Sequence, residues 1–260
     1  MTLDKYKIIS SFDNNQIKLL EKLKLKKYRE KLQKFSVENL TIIYDALKDN
    51  SDFEALFITS EFAAKHINEL KFLESNSQSK NFYLLDYKLN KHYSGLETPP
   101  GIMAVYNIKN KNLDKSSVIY LNGINDPGNM GTILRSALAF NFVNIVLDKN
   151  CVDIYNQKTI NAAKDAIFKL NIIKDEKGNW LDKNKLPIYI TSSHSELILD
   201  KFKPAKEFCL VLGNESHGVD KKITKLAKAN LKIEISSKIE SLNVAVAASI
   251  LFYELKQKIN

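Results

Sequence analysis

The stretch Asn122-Gly-Ile-Asn-Asp-Pro-Gly-Asn-Met-Gly-Thr-Ile-Leu-Arg135 decides the fold class of this chain. It follows an apolar run at residues 117–121, and its glycines, proline, amides and acid come just before a run that favours a helix. A plain turn needs only one or two such residues. A buried strand that ends in a glycine-rich loop at a helix start is typical of parallel α/β domains, where backbone approaches a ligand closely. The stretch therefore predicts a strand, a ligand-binding loop and a helix.

Two later stretches repeat this design. Leu212-Gly-Asn-Glu-Ser-His-Gly218 follows an apolar run, and Ser241-Leu-Asn-Val-Ala-Val-Ala-Ala248 opens a helical run rich in small residues. Apolar strands that alternate with helices indicate a parallel sheet covered on both faces. All three loops would then lie at the carboxyl edge of that sheet. The predicted strands are 117–121, 143–147, 187–191, 208–212 and 231–235.

The first region of the chain is predicted to be a small α/β module of its own. Its pattern switches repeatedly between helical and extended periodicity, and the breaker-rich segment Ser94-Gly-Leu-Glu-Thr-Pro-Pro-Gly101 precedes its closing strand. The lysine-rich stretch 109–115 is the best boundary, so we expect a first domain at 1–108 and a second at 116–260. The elements expected in the first domain are helices at 14–34, 40–47 and 61–72, and strands at 35–37, 53–59, 82–85 and 102–108.

Charge points towards a polyanionic partner. The formal net charge is +9 and the pI is about 9.2. Residues 18–34 carry eight Lys and Arg against two acids. Basic side chains spaced by four, four and three residues fall near one helical face and could follow RNA phosphates, although a lysine-rich surface helix can equally be only solvated. The candidate contacts are Lys18, Lys22, Lys26 and Arg29.

Several classes of function find no support in the sequence. A dinucleotide-binding GxGxxG and a phosphate-binding GxxxxGK[ST] are both absent. Cys151 and Cys209 have no CxxC spacing, so we expect neither a metal site nor a disulfide. The amino terminus has no apolar signal core, and no apolar run approaches the roughly 18 residues of a membrane span. We expect a soluble, cytoplasmic protein without a membrane partner.

The three stretches, in this order and at these intervals, resemble the three motifs of the SpoU (TrmH-like) branch of the SPOUT RNA methyltransferases. The resemblance implies a parallel-sheet SPOUT domain with a carboxyl-terminal trefoil knot, preceded by a small α/β substrate-binding domain like certain ribosomal proteins. It also implies S-adenosylmethionine as cofactor, a homodimer whose subunits complete the active site together, and methylation of a ribose 2′-hydroxyl in RNA.

Residue roles follow from the same resemblance. The positions that match the family's cofactor contacts are Gly213, Ile233 and Leu242. Those that match its catalytic or substrate-orienting residues are Asn129, Arg135, Glu215, Ser241 and Asn243. On spacing alone Glu215 could instead cap a helix. The family often casts Arg135 as the base, but a guanidinium with a pKa above about 12 is a poor proton acceptor, so we expect it to act as a cation.

One departure from the family pattern keeps a rival interpretation open. Glu234 stands where the family commonly has proline, and a carboxylate beside the cofactor could weaken its binding. The alternatives are therefore an active methyltransferase and a non-catalytic RNA-binding protein of the same fold. The appended first domain favours ribosomal over transfer RNA as substrate, while the sequence does not specify which nucleotide is methylated.

Overall fold

The computed structural model describes residues 4–94, 96–192 and 195–259, and it divides into two compact units. The first unit comprises Met1–Lys109 and Tyr155–Asn161, and the second comprises Asn110–Ile154 and Ala162–Asn260. Gly95 of the breaker-rich segment lies outside the described residues. So do residues 1–3, which belong to the amino terminus that we expect to lack a secretory signal.

The first unit contains a mixed sheet. In the described residues its strand order is β1-β4-β3-β5-β2, with β1, β4 and β3 parallel and β5 antiparallel to both of its neighbours. The elements are β1 (Lys7–Ile9), α1 (Asn15–Leu23), α2 (Lys26–Leu32), β2 (Lys34–Val37), α3 (Leu40–Lys48), β3 (Ala55–Thr59), α4 (Ser60–Lys65), α5 (Ile67–Asn76), β4 (Phe82–Leu85), α6 (Tyr87–Tyr93) and β5 (Ile102–Asn107).

The first helix predicted for this unit is interrupted by a break. The single helix predicted at 14–34 is two helices, because Leu25 is extended and begins α2 anew. The Arg29 guanidinium is buried beneath this break, where Nη1 donates to the carbonyls of Leu23 and Lys24, both at 2.7 Å. Unpaired carbonyls at a helix end need such donors. The helical periodicity continued across the break, so the sequence pattern did not reveal it.

The helix predicted at 61–72 is also two helices. The backbone of His66 leaves the helical region with φ of −124° and ψ of 44°. Its N–H donates to the Phe62 carbonyl at 3.1 Å, and its ring stacks on the Phe62 ring with centroids 4.4 Å apart. His66 therefore ends α4 and begins α5. The sequence analysis also missed β1 and α6.

The second unit contains a parallel sheet, as predicted. Among the described residues the strand order is β10-β12-β9-β11-β6-β7-β8, and every neighbouring pair is parallel. The elements are β6 (Val118–Leu121), α7 (Pro127–Ala139), β7 (Asn144–Asp148), α8 (Gln157–Ala163), α9 (Ala166–Lys169), β8 (Asn171–Asp175), α10 (Trp180–Lys183), β9 (Ile188–Thr191), β10 (Leu197–Ile198), a 3-10 helix (Leu199–Lys201), β11 (Cys209–Leu212), α11 (Lys221–Thr224), β12 (Ala229–Lys232) and α12 (Val244–Ile259). The five predicted strands are present, and β8 and β10 are additional.

One strand is shifted from its predicted position. The strand expected at 231–235 is β12, which pairs with β9 from Ala229 to Leu231. The chain leaves the sheet after Lys232, so Ile233 and Glu234 belong to the following loop. Apolar alternation continues past the last ladder residue, which is why the pattern placed the strand too late.

The topology brings the three quoted loops to one edge. Loop one (residues 122–129) follows β6, and loop two (213–218) follows the neighbouring β11. Loop three (233–243) follows β12, which lies beyond β9. Because all these strands are parallel, their carboxyl ends face the same way. Helices α7 and α12, which leave loops one and three, pack on each other. The sheet edge therefore presents all three loops together.

Candidate active site

Loop one places Asn129 in the first turn of α7. Asp126 is the N-cap residue, and its Oδ1 accepts the N–H of Asn129 at 2.8 Å. Pro127 follows at the first helical position, where its missing N–H costs nothing. Gly123 has a φ of +69°, a left-handed conformation that favours glycine. The loop sequence thus fixes both the turn and the helix start.

Loop two is a tight turn closed by its own backbone. Asn214 N donates to the Gly218 carbonyl at 3.0 Å, and Gly218 N donates back to the Asn214 carbonyl at 2.9 Å. A Cβ atom added at Gly213 would lie 2.3 Å from both the Gly218 carbonyl carbon and the Val219 nitrogen. No side chain fits there, so the turn requires glycine at position 213.

The side chain of Asn214 fastens loop two to loop one. Its Nδ2 donates to the Gly123 carbonyl at 2.8 Å. Its Oδ1 accepts the backbone N–H of Ser216 at 2.9 Å and of His217 at 3.1 Å. One amide therefore sets the conformation of the turn and its distance from the neighbouring loop. Sequence reasoning missed this residue, although its place inside loop two was a usable signal.

Loop three ends at Asn243, which begins α12. Its Oδ1 accepts the N–H of Ala245 at 2.9 Å and of Val246 at 3.3 Å. An asparagine at a helix start commonly satisfies the free N–H groups in this way. The cap holds the Nδ2 group of the same side chain at the sheet edge.

Three predicted catalytic residues, one from each loop, form a single hydrogen-bonded relay. Asn243 Nδ2 donates to Asn129 Oδ1 at 2.9 Å, and Asn129 Nδ2 donates to Glu215 Oε1 at 3.0 Å. The other carboxylate oxygen of Glu215 accepts Asn214 Nδ2 at 3.4 Å. Helix α11 begins only at Lys221, so Glu215 does not cap it. The carboxylate is an oriented group of the site.

A cavity of about 1060 Å³ lies beside this relay. The three residues predicted to contact the cofactor all line it, as do Glu215, Ser241 and Asn243. Sequence reasoning missed part of the lining, namely Thr191, Ser192 and Asn230. Thr191 ends the strand predicted at 187–191 and Ser192 directly follows it at the same edge, which could have identified them. Within the described residues, the buried Oδ1 of Asn230 has no hydrogen-bond partner.

Two predicted residues, Glu234 and Arg135, are not among those that line the cavity. Glu234 is exposed and is not part of the lining, although Ile233 and Ile235 on either side are. Arg135 is exposed on α7, and the relay does not include it. It follows Asn129 by six residues, which corresponds to about 9 Å along a helix and a different face. Within the described residues, Arg135 therefore neither joins the relay nor lines the cavity.

Beneath the loops lies a polar layer that carries charge. Asn122 Nδ2 donates to Asp148 Oδ2 at 2.7 Å and to Asp220 Oδ2 at 3.0 Å. Asp220 N donates back to Asn122 Oδ1 at 2.9 Å. Burial, with the nearby Asp148 charge, raises the pKa of the Cys151 thiol from 9.0 to about 12. Cys151 is thus a protonated packing group at neutral pH, not a nucleophile.

The predicted RNA contacts in the first unit separate into two groups. Lys18, Lys22 and Lys26 are exposed on α1 and α2, and their role stays a prediction. Lys18 pairs with Asp13 at 3.1 Å. Arg29 is only 6% exposed, and its guanidinium is engaged with the helix carbonyls described above. It does not share the lysines' exposed face, which argues against its place in the predicted set.

The described residues contain neither a candidate metal cluster nor a membrane-spanning helix. Across 4–94, 96–192 and 195–259, no group of three or more His, Cys, Asp or Glu residues could hold a metal ion. Over the same ranges, no helix is long and apolar enough to cross a membrane.

Comparison with known families matches both halves of the chain. The model of the SpoU rRNA Methylase family matches residues 116–253. The model of an MRM3-like substrate binding domain matches residues 14–104. The first match contains all three loops, the relay and the residues that line the cavity.

Individual relatives cover nearly the whole chain. The 23S rRNA (guanosine(2553)-2′-O)-methyltransferase RlmP of Bacillus subtilis is 29% identical over 254 residues, 96% of this chain and 99% of the relative. Among solved structures, the AdoMet-bound rRNA methyltransferase of Sinorhizobium meliloti has a TM-score of 0.82 at 20% identity, covering 97% of this chain and 98% of the other. The SpoU methyltransferase AviRb of Streptomyces viridochromogenes, in complex with AdoMet, has a TM-score of 0.83 at 20% identity over 94% and 97%. At this identity the two structures show that the fold is shared.

Proposed function

This chain belongs to the SpoU rRNA Methylase family, and on that premise we propose that it methylates a ribose 2′-hydroxyl of ribosomal RNA with S-adenosylmethionine as donor. The observation that carries the proposal is the relay from Asn243 through Asn129 to Glu215 beside a large cavity. The name of the Bacillus subtilis relative supports ribosomal RNA as the substrate class.

The residues of the cavity fit an adenosyl cofactor. Ile233 and Leu242 offer apolar surface to a purine ring, and Gly213 allows the backbone to come close. The buried Oδ1 of Asn230 is an acceptor that lacks a donor in the described chain, and buried acceptors ordinarily have one. When bound, S-adenosylmethionine supplies an electrophilic methyl group. The AdoMet complexes of two proteins with this fold support the same assignment.

Within this chain, Glu215 is the group best placed to accept the proton of the ribose hydroxyl. Both of its carboxylate oxygens are oriented by amide donors, and each keeps a free lone pair for the substrate. Asn129 and Asn243 hold that orientation. Correct positioning alone can lower a barrier by roughly 7–11 kcal/mol, so fixing the carboxylate contributes directly to rate. Ser241, which lines the cavity, orients the substrate.

Arg135 belongs, in this proposal, to the active site of a second subunit. It is an exposed cation on α7, and α12 packs against that helix. Helix α12 also exposes two apolar side chains seven residues apart, Val246 at 49% and Tyr253 at 50%. Residues at this spacing share one helical face. Pairing of these helices in a homodimer would cover the apolar face and let Arg135 hold a phosphate in the partner's site.

The domain division and the knot are proposed with the function. We divide the chain into an RNA-binding domain at 1–108, a linker at 109–115 and a catalytic domain at 116–260, which the two family matches support. What supports a trefoil knot is the position of β12 between β9 and the earlier β10. A strand inserted between two earlier ones is a starting point for threading, and such threading is rare among folds.

Calorimetric titration with S-adenosylmethionine, followed by methyl transfer to ribosomal RNA from a strain that lacks the gene, tests this function. The expected result is saturable binding and the appearance of one 2′-O-methylated nucleoside after nuclease digestion and mass spectrometry. Methylation on a base would contradict the reaction class. Binding of RNA without binding of S-adenosylmethionine would favour a non-catalytic RNA-binding protein, and a preference for transfer RNA would correct the substrate.

A further inference from the structure

The first unit exposes an aromatic ring that the catalytic proposal does not use. Phe12 lies in the segment between β1 and α1, and 51% of it is exposed. Single exposed apolar side chains are common on protein surfaces and need no explanation. This ring differs because its surroundings hold it in a defined orientation.

The ring is braced by His92 at the end of α6. The two rings are nearly perpendicular, with an interplanar angle of 83° and centroids 4.9 Å apart. His92 is itself fixed from α1, since its Nε2 lies 2.7 Å from Glu21 Oε1. Lys24 Nζ donates to the His92 carbonyl at 3.0 Å. Two helices therefore keep an aromatic ring in place while half of its surface stays open to solvent.

Two cationic side chains accompany His92, the residue that braces the ring. Lys24 is exposed and reaches the His92 carbonyl, and Lys91 is exposed next to His92 in the chain. Surfaces that bind single-stranded nucleic acid combine an aromatic stacking platform with basic groups that follow the backbone. Protein–protein interfaces are depleted of lysine at their centres. The combination therefore fits RNA better than a protein partner.

We propose that an unpaired nucleotide of the RNA substrate stacks on Phe12, with its backbone phosphates near Lys24 and Lys91. This inference rests on the proposed function, because it takes RNA as the substrate. It adds which surface binds the RNA and that the bound segment is single-stranded. A base inside a duplex has both faces covered by its neighbours, so it is not available to the ring. The substrate must offer a single-stranded loop or bulge at this surface.

The test measures RNA binding by the full chain with fluorescence anisotropy. The probes are a labelled, unstructured uridine oligonucleotide and a labelled RNA duplex of equal length. Because stacking of a base on an aromatic ring contributes substantially to affinity for single strands, Phe12→Ala should weaken binding of the single strand about tenfold. Binding of the duplex should change less than about twofold, because lysine contacts remain. Phe12→Trp should restore single-strand binding, and its added emission should be quenched by the oligonucleotide.

The matched control is Tyr87→Ala, which removes an aromatic ring that is 53% exposed in the same unit. This variant should bind both probes like the parent. Equal loss with Tyr87→Ala, or single-strand binding by Phe12→Ala that equals the parent's, would overturn the proposal. So would a Phe12→Ala variant that loses both probes alike while Phe12→Trp fails to recover either.

Titration of Phe12→Ala with S-adenosylmethionine separates this inference from the proposed function. Phe12 belongs to the first unit and the cavity to the second. The variant should bind the methyl donor like the parent. Failure of donor binding in the parent would count against the proposed function, whereas a normal donor titration with unchanged RNA binding would count against the stacking surface alone.

Discussion

The amide Nδ2 of Asn129 donates to Oε1 of Glu215 at 3.0 Å, although the two residues are 86 positions apart in the chain. The bond joins the first turn of α7 to the closed turn that follows β11. It exists because β6 and β11 are neighbours in a parallel sheet. Sheet topology thus creates the geometry of the candidate active site.

Asn129→Ala should lower methyl transfer about 100-fold, because small misplacements of a catalytic group have effects of that size. Asn129 does not line the cavity, so the dissociation constant for S-adenosylmethionine should stay within about threefold of the parent's. Single-turnover kinetics and calorimetry measure the two effects. Asn150→Ala, an exposed asparagine beyond β7, is the control. Full activity of Asn129→Ala would refute the relay.

Gly213→Ala should abolish binding of the methyl donor. The added Cβ would lie 2.3 Å from backbone atoms of loop two, so the turn must open. Gly178→Ala is the control, since its φ of +64° imposes strain but no atom lies within 4 Å of the new Cβ. Both variants should be less stable to urea, but only the first should lose donor binding. Comparable loss of binding in both would mean that general destabilisation is responsible.

Arg135→Ala should be inactive yet bind the methyl donor normally, because Arg135 is exposed and does not line the cavity. If Arg135 acts in the partner's site, a mixture with Asn243→Asp, which keeps the oxygen that caps α12, contains heterodimers with one intact site. Random pairing of equal amounts then restores about a quarter of the parent rate. Co-expression of the two variants, each with its own affinity tag, provides the mixed dimers whose methylation rate is measured. A mixture that stays as inactive as its components would show that Arg135 acts within its own subunit.

Glu234→Gln should leave affinity for S-adenosylmethionine within about threefold of the parent's, since the side chain is exposed and not part of the cavity lining. Leu242→Ala, which removes apolar lining, should weaken binding about tenfold by the usual cost of lost apolar burial. Titration calorimetry compares the two. A large change in affinity for Glu234→Gln would instead make that carboxylate part of the site.

Cys151 should make stability fall in alkaline solution. Its pKa rises from 9.0 to about 12 on folding, so the folded state binds the proton more tightly. Below pH 9 both states are protonated and the contribution is constant. Between about pH 9 and 12 only the unfolded state loses the proton, so the free energy of unfolding declines. Urea midpoints should show the parent losing stability faster than Cys151→Ala across this window. Parallel curves would disprove the assignment.

The strands and loops of the second unit could be predicted because the sequence patterns that mark them are local. Apolar runs marked the strands, and glycine, proline and asparagine marked the loops between them. β8 was missed because Asn171 and Asp175 give its ends a polar character. β12 was placed too late because the apolar alternation outlasts the hydrogen-bonded ladder. A ladder depends on a partner strand, and a single sequence does not carry that information.

The members of the candidate site could be named from the sequence, whereas their contacts could not. Resemblance to a family identified Asn129, Glu215 and Asn243, which the fold then joins. Helical spacing, in contrast, grouped Arg29 with the exposed lysines, although the fold turns that guanidinium inward onto helix carbonyls. Spacing along an ideal helix does not report a break in that helix. The role of Asn214 depends on contacts between loops that only the fold creates.

Asn243 has two tasks at opposite ends of one short side chain. Its Oδ1 starts helix α12, and its Nδ2 begins the relay. For protein engineering, the helix cap can be kept while the relay donor is removed, but the reverse separation is not possible. An aspartate keeps the helix cap but lacks the donor, so it would give a folded enzyme with a disconnected relay, suitable for trapping substrate RNA. Most other substitutions would weaken the fold and the chemistry together, which leaves this position little mutational freedom.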